Sequence, residues 1–138
     1  MNNSSMNIRT TCHTVIADLT SPIAVYARLR DRYSKALLLE SSDFHGADDC
    51  RSFICCDPLA EFKIENGELH LSYLNEKQPP KPIKHATGFS EELSIFLNSF
   101  KIESSALPKG VVNGAFGYAA WDSIEHMETL TFTKKPDP

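Results

Sequence analysis

Side chains suited to holding a small molecule are concentrated in one stretch of the sequence. Between two apolar runs the chain carries carboxylates, hydroxyls and a guanidinium, with the candidate site residues being Glu40, Ser41, Asp48, Asp49, Arg51 and Ser52. Carboxylates accept hydrogen bonds from cationic groups, and a guanidinium binds anionic ones. The stretch therefore predicts a small-molecule site, although these residues do not by themselves form an active site.

The two apolar runs predict the elements that position this stretch. Residues 36–39 and 53–56 contain no charged side chain, and each run stops at polar or turn-forming residues. Runs of this length are typical of strands that are covered on both faces. We therefore predict two buried strands, with the polar stretch as the loop where the first strand ends.

The composition of the chain argues against several classes of function. Its 138 residues suffice for one domain, and 14 basic against 18 acidic residues give a net charge of -4, without the clustered Lys and Arg of a nucleic-acid-binding face. No apolar run reaches the roughly 20 residues of a membrane helix, and the amino terminus lacks the apolar segment of a signal peptide. We expect a cytoplasmic protein with neither nucleic acid nor membrane as partner.

The cysteines do not have the paired spacing of a zinc site. They are Cys12, Cys50, Cys55 and Cys56. Because a closed zinc site needs four converging ligands, we expect ordinary thiols, mostly buried, and no metal site in this chain.

Two amphipathic helices are predicted. The first begins at Ser21 or Thr20 as cap with Pro22 in the first position, and its apolar positions are Pro22, Val25, Tyr26, Leu29 and Tyr33. The second begins at Ser90, and its apolar stripe consists of Leu93, Phe96, Leu97 and Phe100. A third, short helix is expected near residues 121–127.

Extended segments account for much of the rest. Residues 7–17 favour an extended segment, and the Asn66-Gly67 pair predicts a tight hairpin between residues 59–64 and 68–74 with one wet face. Residues 78–82 predict an exposed, proline-rich loop. Small residues around Gly114 and Gly117 predict close packing against another backbone. Together these elements predict an α+β fold, with a mostly antiparallel β-sheet core and two or three packed helices.

Three motifs, in this order and spacing, resemble one family. Residues 37–41 resemble the strand that ends in the tryptophan-binding Glu-Ser pair of anthranilate synthase component I, a chorismate-utilising enzyme family. Residues 51–54, running into Asp57-Pro58, resemble the next strand with its closing Asp-Pro. Residues 114–118, followed by Trp121-Asp122 and Glu125, are similar to that family's Gly-Gly-x-x-Gly-Tyr segment. The resemblance extends over residues 18–130.

The resemblance implies that regulation and catalysis belong to different parts of the complete protein. Residues 18–130 correspond to the amino-terminal, regulatory domain of that family, preceded by a strand segment at 1–17 and followed by a tail at 131–138. The chain is then an incomplete piece of a larger two-layer α/β sandwich, without the catalytic chorismate-binding domain and inactive alone. The complete lyase converts chorismate and glutamine-derived ammonia to anthranilate and pyruvate in tryptophan biosynthesis. It is expected to use Mg²⁺ and a glutamine amidotransferase subunit.

The resemblance also implies an effector site for L-tryptophan, which exerts feedback inhibition. Glu40 would accept hydrogen bonds from the ammonium group, and Ser41 would bond the polar head. Arg51, with Ser52, would bind the carboxylate unless Arg51 pairs with Asp48 or Asp49. Those two aspartates are the weaker candidates, and no residue of this chain is assigned a catalytic role.

Two alternatives remain open. The chain also resembles the amino-terminal part of aminodeoxychorismate synthase component I, although Glu before Ser at position 40 favours the tryptophan-regulated branch. The second alternative is a stand-alone amino-acid-binding or interaction domain. An exposed sheet edge or apolar patch additionally predicts self-association into a homo-oligomer.

Overall fold

A computed structural model describes residues 5–40, 51–83, 85–103 and 113–128, with only the backbone described for residues 85–87. In chain order its elements are β1 (Met6–Ile8), α1 (Pro22–Arg30), β2 (Ala36–Glu40), β3 (Ser52–Cys56), β4 (Ala60–Glu65), β5 (Glu68–Tyr73), β6 (Glu76–Lys77), β7 (Lys81–Pro82), α2 (His85–Asn98), β8 (Phe100–Ile102) and a 3₁₀ helix (Trp121–His126). The combination of helices with antiparallel strand pairs confirms the predicted α+β class. Among the described helices, none has the length and apolarity to cross a membrane.

The chain divides into two compact units. The smaller is His13–Leu59, and the larger combines Met1–Cys12 with Ala60–Pro138.

Helix α1 of the smaller unit begins as predicted. Ser21 is the N-cap, its Oγ accepts a hydrogen bond from the N–H of Ala24 at 3.2 Å, and Pro22 occupies the first turn. The helix ends at Arg30, earlier than predicted, so Tyr33 lies beyond it. The N–H of Tyr33 still donates to the carbonyl of Leu29 at 2.8 Å.

Strands β2 and β3 form an antiparallel pair in the smaller unit, and helix α1 packs against both. Their apolar side chains are half-buried, so the prediction of fully buried strands was wrong. Among the described residues of this unit, α1 is the helix that packs on the two-stranded ribbon, and one helix covers one face, which agrees with half-buried side chains in both strands.

The larger unit contains the predicted hairpin of β4 and β5. Asn66 and Gly67 have φ values of 53° and 77°, the left-handed conformation that a tight two-residue turn requires. The apolar pairs Phe62–Leu71 and Ile64–Leu69 alternate with polar pairs such as Lys63–His70. The predicted polar face of the hairpin, called the wet face below, is therefore confirmed.

The proline-rich segment after the hairpin is exposed, as predicted, but part of it is paired. Lys81–Pro82 forms β7, which pairs with Glu68 and Leu69 of β5. Proline is tolerated there because an edge strand has one side without ladder bonds.

Helix α2 contacts the hairpin through aromatic rings. Among the described residues, Leu69 and Phe96 are the buried apolar side chains, 1% and 6% exposed. The ring of Phe96 lies 5.4 Å from Phe62, 5.8 Å from Tyr73 and 5.2 Å from Phe100 between centroids. These contacts define an aromatic cluster.

The predicted second helix differs from α2 in three respects. It begins at His85 and not at Ser90, it ends before Phe100, and Leu97 is 47% exposed. The turn after the helix explains the position of Phe100, because the N–H of Ser99 donates to the carbonyl of Phe96 at 3.2 Å and redirects the chain into β8.

The amino-terminal segment is extended over a shorter range than predicted. Only Met6–Ile8 forms a strand, which pairs in parallel with β8. Strand β8 is three residues long, so it offers no partner to residues farther along. Arg9 and Glu103 continue the contact as an exposed ion pair at 3.0 Å.

The segment 113–120 is exposed and lies outside any regular element, so the predicted close packing was wrong. A Cβ placed on Gly114 or Gly117 would meet no atom within 4 Å. The chain then enters the 3₁₀ helix, which confirms a short helix near residue 121 and contacts α2.

Candidate functional site

The candidate site lies where β2 ends and β3 begins. Glu40 is the last residue of β2, and it faces Ser52, the first residue of β3, across the antiparallel ladder. The hydroxyl of Ser52 donates a hydrogen bond to Oε1 of Glu40 at 3.3 Å. Both side chains are exposed, so a molecule from solvent has access to this pair.

Apolar pairs precede this polar pair along the ladder. Leu38 faces Ile54 and Leu39 faces Phe53, all half-buried. Apolar side chains lie on both faces of β2, and the ribbon is held together by its own pairing and by packing against α1. The polar pair falls at the end of this ladder, beyond the last apolar pair.

The other predicted site residues are only partly covered by the structure. Arg51 is exposed and directly precedes Ser52 at the start of β3. Ser41, Asp48 and Asp49 lie outside the described residues. The structure thus brings together Glu40 and Ser52 and places Arg51 next to them in the chain.

Cys55 lies near the site and is not activated, and Cys50 lies outside the described residues. Cys55 lies in β3, and burial, reinforced by the neighbouring Cys56, raises the pKa of its thiol. Because the thiolate is the reactive form, a raised pKa makes this side chain a weak nucleophile at neutral pH. Cys12, Cys55 and Cys56 are half-buried thiols, less enclosed than predicted.

Within the described ranges, no three or more His, Cys, Asp or Glu side chains are grouped so that they could hold a metal ion. The Mg²⁺ implied by the resemblance belongs to the complete enzyme and stays a prediction.

A shallow depression in the smaller unit was not anticipated from the sequence. It is lined by residues 16–20, and Ile16 and Leu19 are 87% and 102% exposed. Five successive residues that are this exposed do not enclose a ligand. The signal in the sequence was the apolar side chains of Ile16 and Leu19, which lie where the predicted extended segment 7–17 gives way to the predicted start of the first helix.

Comparison with known proteins gives a distant similarity. Neither a model of a known protein family nor a solved structure matches the chain. Anthranilate synthase component 1 of Arthrobacter globiformis is 26% identical over 124 residues, which cover 89% of this chain and 22% of that protein. The chain therefore spans about a fifth of the length of this relative, to which it is distantly similar over most of its own residues.

Proposed function

We propose that this chain is the amino-terminal, tryptophan-binding part of an anthranilate synthase component 1. In this proposal Glu40, Ser41, Arg51 and Ser52 contact the effector, and Asp48 and Asp49 are weaker candidates. The observation that carries it is the pairing of Glu40 with Ser52 at an exposed strand end. The distant similarity to a protein of that name supports the choice of family.

The chemistry of a free amino acid fits this polar pair. Its ammonium group donates hydrogen bonds, and an ionised carboxylate offers about four lone-pair positions. The bond from Ser52 engages Oε1 of Glu40. A carboxylate with one such bond still has the capacity to accept donors from the ammonium group of a ligand.

The carboxylate of the ligand requires donors beside Glu40. Arg51 offers a planar guanidinium, which binds carboxylates with two parallel hydrogen bonds. Ser41, the next residue of the sequence after Glu40, offers a hydroxyl donor, and Ser52 offers its single hydroxyl donor when ligand binding turns it away from Oε1 of Glu40. In this proposal the ammonium group of the ligand lies against Glu40 and its carboxylate lies against Arg51.

The indole ring requires an apolar wall on the same face. Leu38 lies two residues before Glu40 and faces Ile54, which lies two residues after Ser52. Alternation along a strand puts these four side chains on one face, with the apolar pair roughly 7 Å from the polar pair. That spacing suits a ligand whose charged head lies at the strand end and whose ring lies over Leu38 and Ile54.

Catalysis is assigned to other parts of the complete protein. We propose that those parts convert chorismate to anthranilate with Mg²⁺, using ammonia from a glutamine amidotransferase subunit. The chain spans 22% of its relative and contributes the feedback site in this scheme. Since it supplies one wall of the pocket, its own affinity for tryptophan should be weak, with a dissociation constant on the order of 1 mM.

Titration of the ¹⁵N-labelled chain with L-tryptophan, followed by amide chemical shifts, tests the proposal. We expect shifts to concentrate at the ends of β2 and β3. Glu40→Gln should weaken binding about fivefold or more, because it removes the charge that accepts from the ammonium group. Glu68→Gln is the matched control, since Glu68 is an exposed glutamate at a strand end in the larger unit.

The outcomes separate clearly. Shifts confined to the β2–β3 end and lost in Glu40→Gln support the site. Shifts elsewhere, or equal affinity in both variants, reject Glu40 as a ligand-binding residue. If D-tryptophan and L-lysine shift the same amides as strongly as L-tryptophan, the site does not recognise the effector and the proposal fails.

A further inference from the structure

We propose that the outer edge of β4 binds a second copy of this chain, as an antiparallel strand pair centred on Phe62. The proposal concerns the larger unit and does not depend on the tryptophan site. The sequence predicted self-association through an exposed sheet edge. The strand that forms this edge is β4 in the proposal, and the pairing of residues is specified below.

Strand β4 lies at the end of its sheet. Its strand partner is β5, and β5 is bordered on its other side by β6 and β7. Among the described residues, no strand lies on the outer side of β4. A six-residue strand in this position has a row of backbone donors and acceptors that no described strand pairs with.

The hairpin fixes which residues direct those groups outward. In a two-residue hairpin, the pair that flanks the turn exchanges both backbone hydrogen bonds, and such pairs alternate along the ladder. Glu65 and Glu68 flank the turn, so the alternation starts from this pair. It follows that the backbone N–H and C=O groups of Ala60, Phe62 and Ile64 point away from β5. A backbone hydrogen bond agrees with this count. Leu71 lies opposite Phe62, and its carbonyl accepts from the N–H of Gln78 at 2.8 Å on the far side of β5.

Self-pairing centred on Phe62 uses these outward groups. Phe62 faces Phe62 of the second copy, and Ala60 faces Ile64 in both directions. Each of these three pairs exchanges two backbone bonds, about six in total. The contact is isologous, so it closes as a dimer and does not extend into a fibre.

The charges on the wet face select this register. With Phe62 at the centre, Glu61 of each copy faces Lys63 of the other, which gives two pairs of opposite charge. Lys63 then lies between this Glu61 and Glu65, its ion-pair partner within the chain at 2.8 Å, and Glu61 also accepts a hydrogen bond from Ser72 at 3.2 Å. With Lys63 at the centre, Lys63 faces Lys63 and Glu61 faces Glu65, which places like charges together. Directly opposed like charges destabilise a strand pair.

A third register is excluded by length. With Ile64 at the centre, Lys63 faces Glu65, but Phe62 then faces Asn66, which belongs to the turn and has a φ of 53°. The overlap shrinks to residues 63–65. The Phe62-centred pair therefore combines the longer overlap with unlike charges.

The apolar face is compatible with the same arrangement. The ring of Phe62 lies 6.1 Å from Phe89 and 5.4 Å from Phe96 of α2. A twofold axis through an antiparallel strand pair runs perpendicular to the sheet, so the helices of both copies lie on one face. Their apolar layers then continue across the new strand pair.

Variants with reversed charges test the register. Dimerisation is measured by sedimentation equilibrium of residues 1–138 at protein concentrations between roughly 10 and 500 µM, the range suited to a small contact. We expect the natural sequence to dimerise. Lys63→Glu or Glu61→Lys should each weaken the dimer about tenfold or more, because symmetry turns two attractive pairs into two repulsive ones. The double variant with both changes restores unlike charges and should recover the dimer.

Lys77→Glu is the matched control. Lys77 is exposed on β6, and its reversal changes the net charge by the same amount as Lys63→Glu. We expect it to leave the dimer intact, and far-ultraviolet circular dichroism verifies that each variant is folded. Amide exchange supplies a second readout, since the N–H groups of Phe62 and Ile64 should become protected as concentration rises.

Several outcomes would overturn the proposal. The first is a monomer throughout the concentration range, and the second is a dimer whose dissociation constant Lys63→Glu leaves unchanged. The third is a double variant that dimerises no more tightly than the single variants. The fourth is amide exchange of Phe62 and Ile64 that is equally fast at all concentrations. Recovery in the double variant together with concentration-dependent protection supports it.

Discussion

The aromatic cluster around Phe96 predicts a large difference between two adjacent positions in α2. Phe96 is 6% exposed and its ring contacts those of Phe62, Tyr73 and Phe100. Its neighbour Leu97 is 47% exposed. Periodicity alone places both in the core stripe, so alanine substitutions at these two positions distinguish the structure from the sequence pattern.

The expected magnitudes follow from burial. Truncation of a buried phenylalanine to alanine costs about 3–5 kcal/mol, and the three ring contacts of Phe96 favour the upper part of that range. A fully buried leucine contributes about 2 kcal/mol, and Leu97 is half exposed, so Leu97→Ala should cost about 1 kcal/mol. Phe96→Leu keeps most of the apolar volume and should cost about 1–2 kcal/mol.

Urea unfolding followed by far-ultraviolet circular dichroism measures these differences. Phe96→Leu keeps the comparison possible if Phe96→Ala does not fold, because domain stabilities of about 5–15 kcal/mol leave little reserve. A smaller loss for Phe96→Leu than for Leu97→Ala, or a loss for Phe96→Ala within about 0.3 kcal/mol of that for Leu97→Ala, would refute the assignment of Phe96 to the core and Leu97 to the surface.

Two further substitutions test local backbone features. Gly67→Ala should lower the free energy of unfolding by about 1–2 kcal/mol, because Gly67 has a φ of 77°. Gly117→Ala, at an open position, should change it by less than about 0.5 kcal/mol. Comparable losses for both variants in urea unfolding would argue against the tight turn. Ser21→Ala should cost about 1 kcal/mol through loss of the cap to Ala24, whereas Ser21→Asp retains an acceptor and should be nearly neutral; unchanged amide exchange of Ala24 in Ser21→Ala would exclude that capping bond.

The features that the sequence predicted well are those set by local chemistry. Ser21 with Pro22 marks a helix start, and Asn66 with Gly67 marks a tight turn, because each pair satisfies a backbone requirement within a few residues. The start of α2 lacked such a signal. Gly88 lies inside that helix, where glycine costs about 1 kcal/mol, and the packing of the following Phe89 against Phe62 offsets this cost.

The features that the sequence predicted poorly depend on contacts between residues that are far apart in the chain. The apolar runs of β2 and β3 are compatible with burial on one face or on two, and only the number of packed elements decides between them. Gly114 and Gly117 permit a close neighbour but do not provide one. Small residues allow close packing, whereas the contact itself comes from the rest of the fold.

The candidate site combines both kinds of information. Glu40 and Ser52 were predicted as site residues, but the sequence between the two strands does not determine which residues of the strands face each other. Residues 37–39 are all leucine, so a slip of one residue would exchange leucine for leucine on each face and the apolar pattern does not select a register. In the structure Leu38 faces Ile54, Leu39 faces Phe53 and Glu40 therefore faces Ser52. The proposed binding geometry depends on this register, which the structure supplies and the composition of β2 does not.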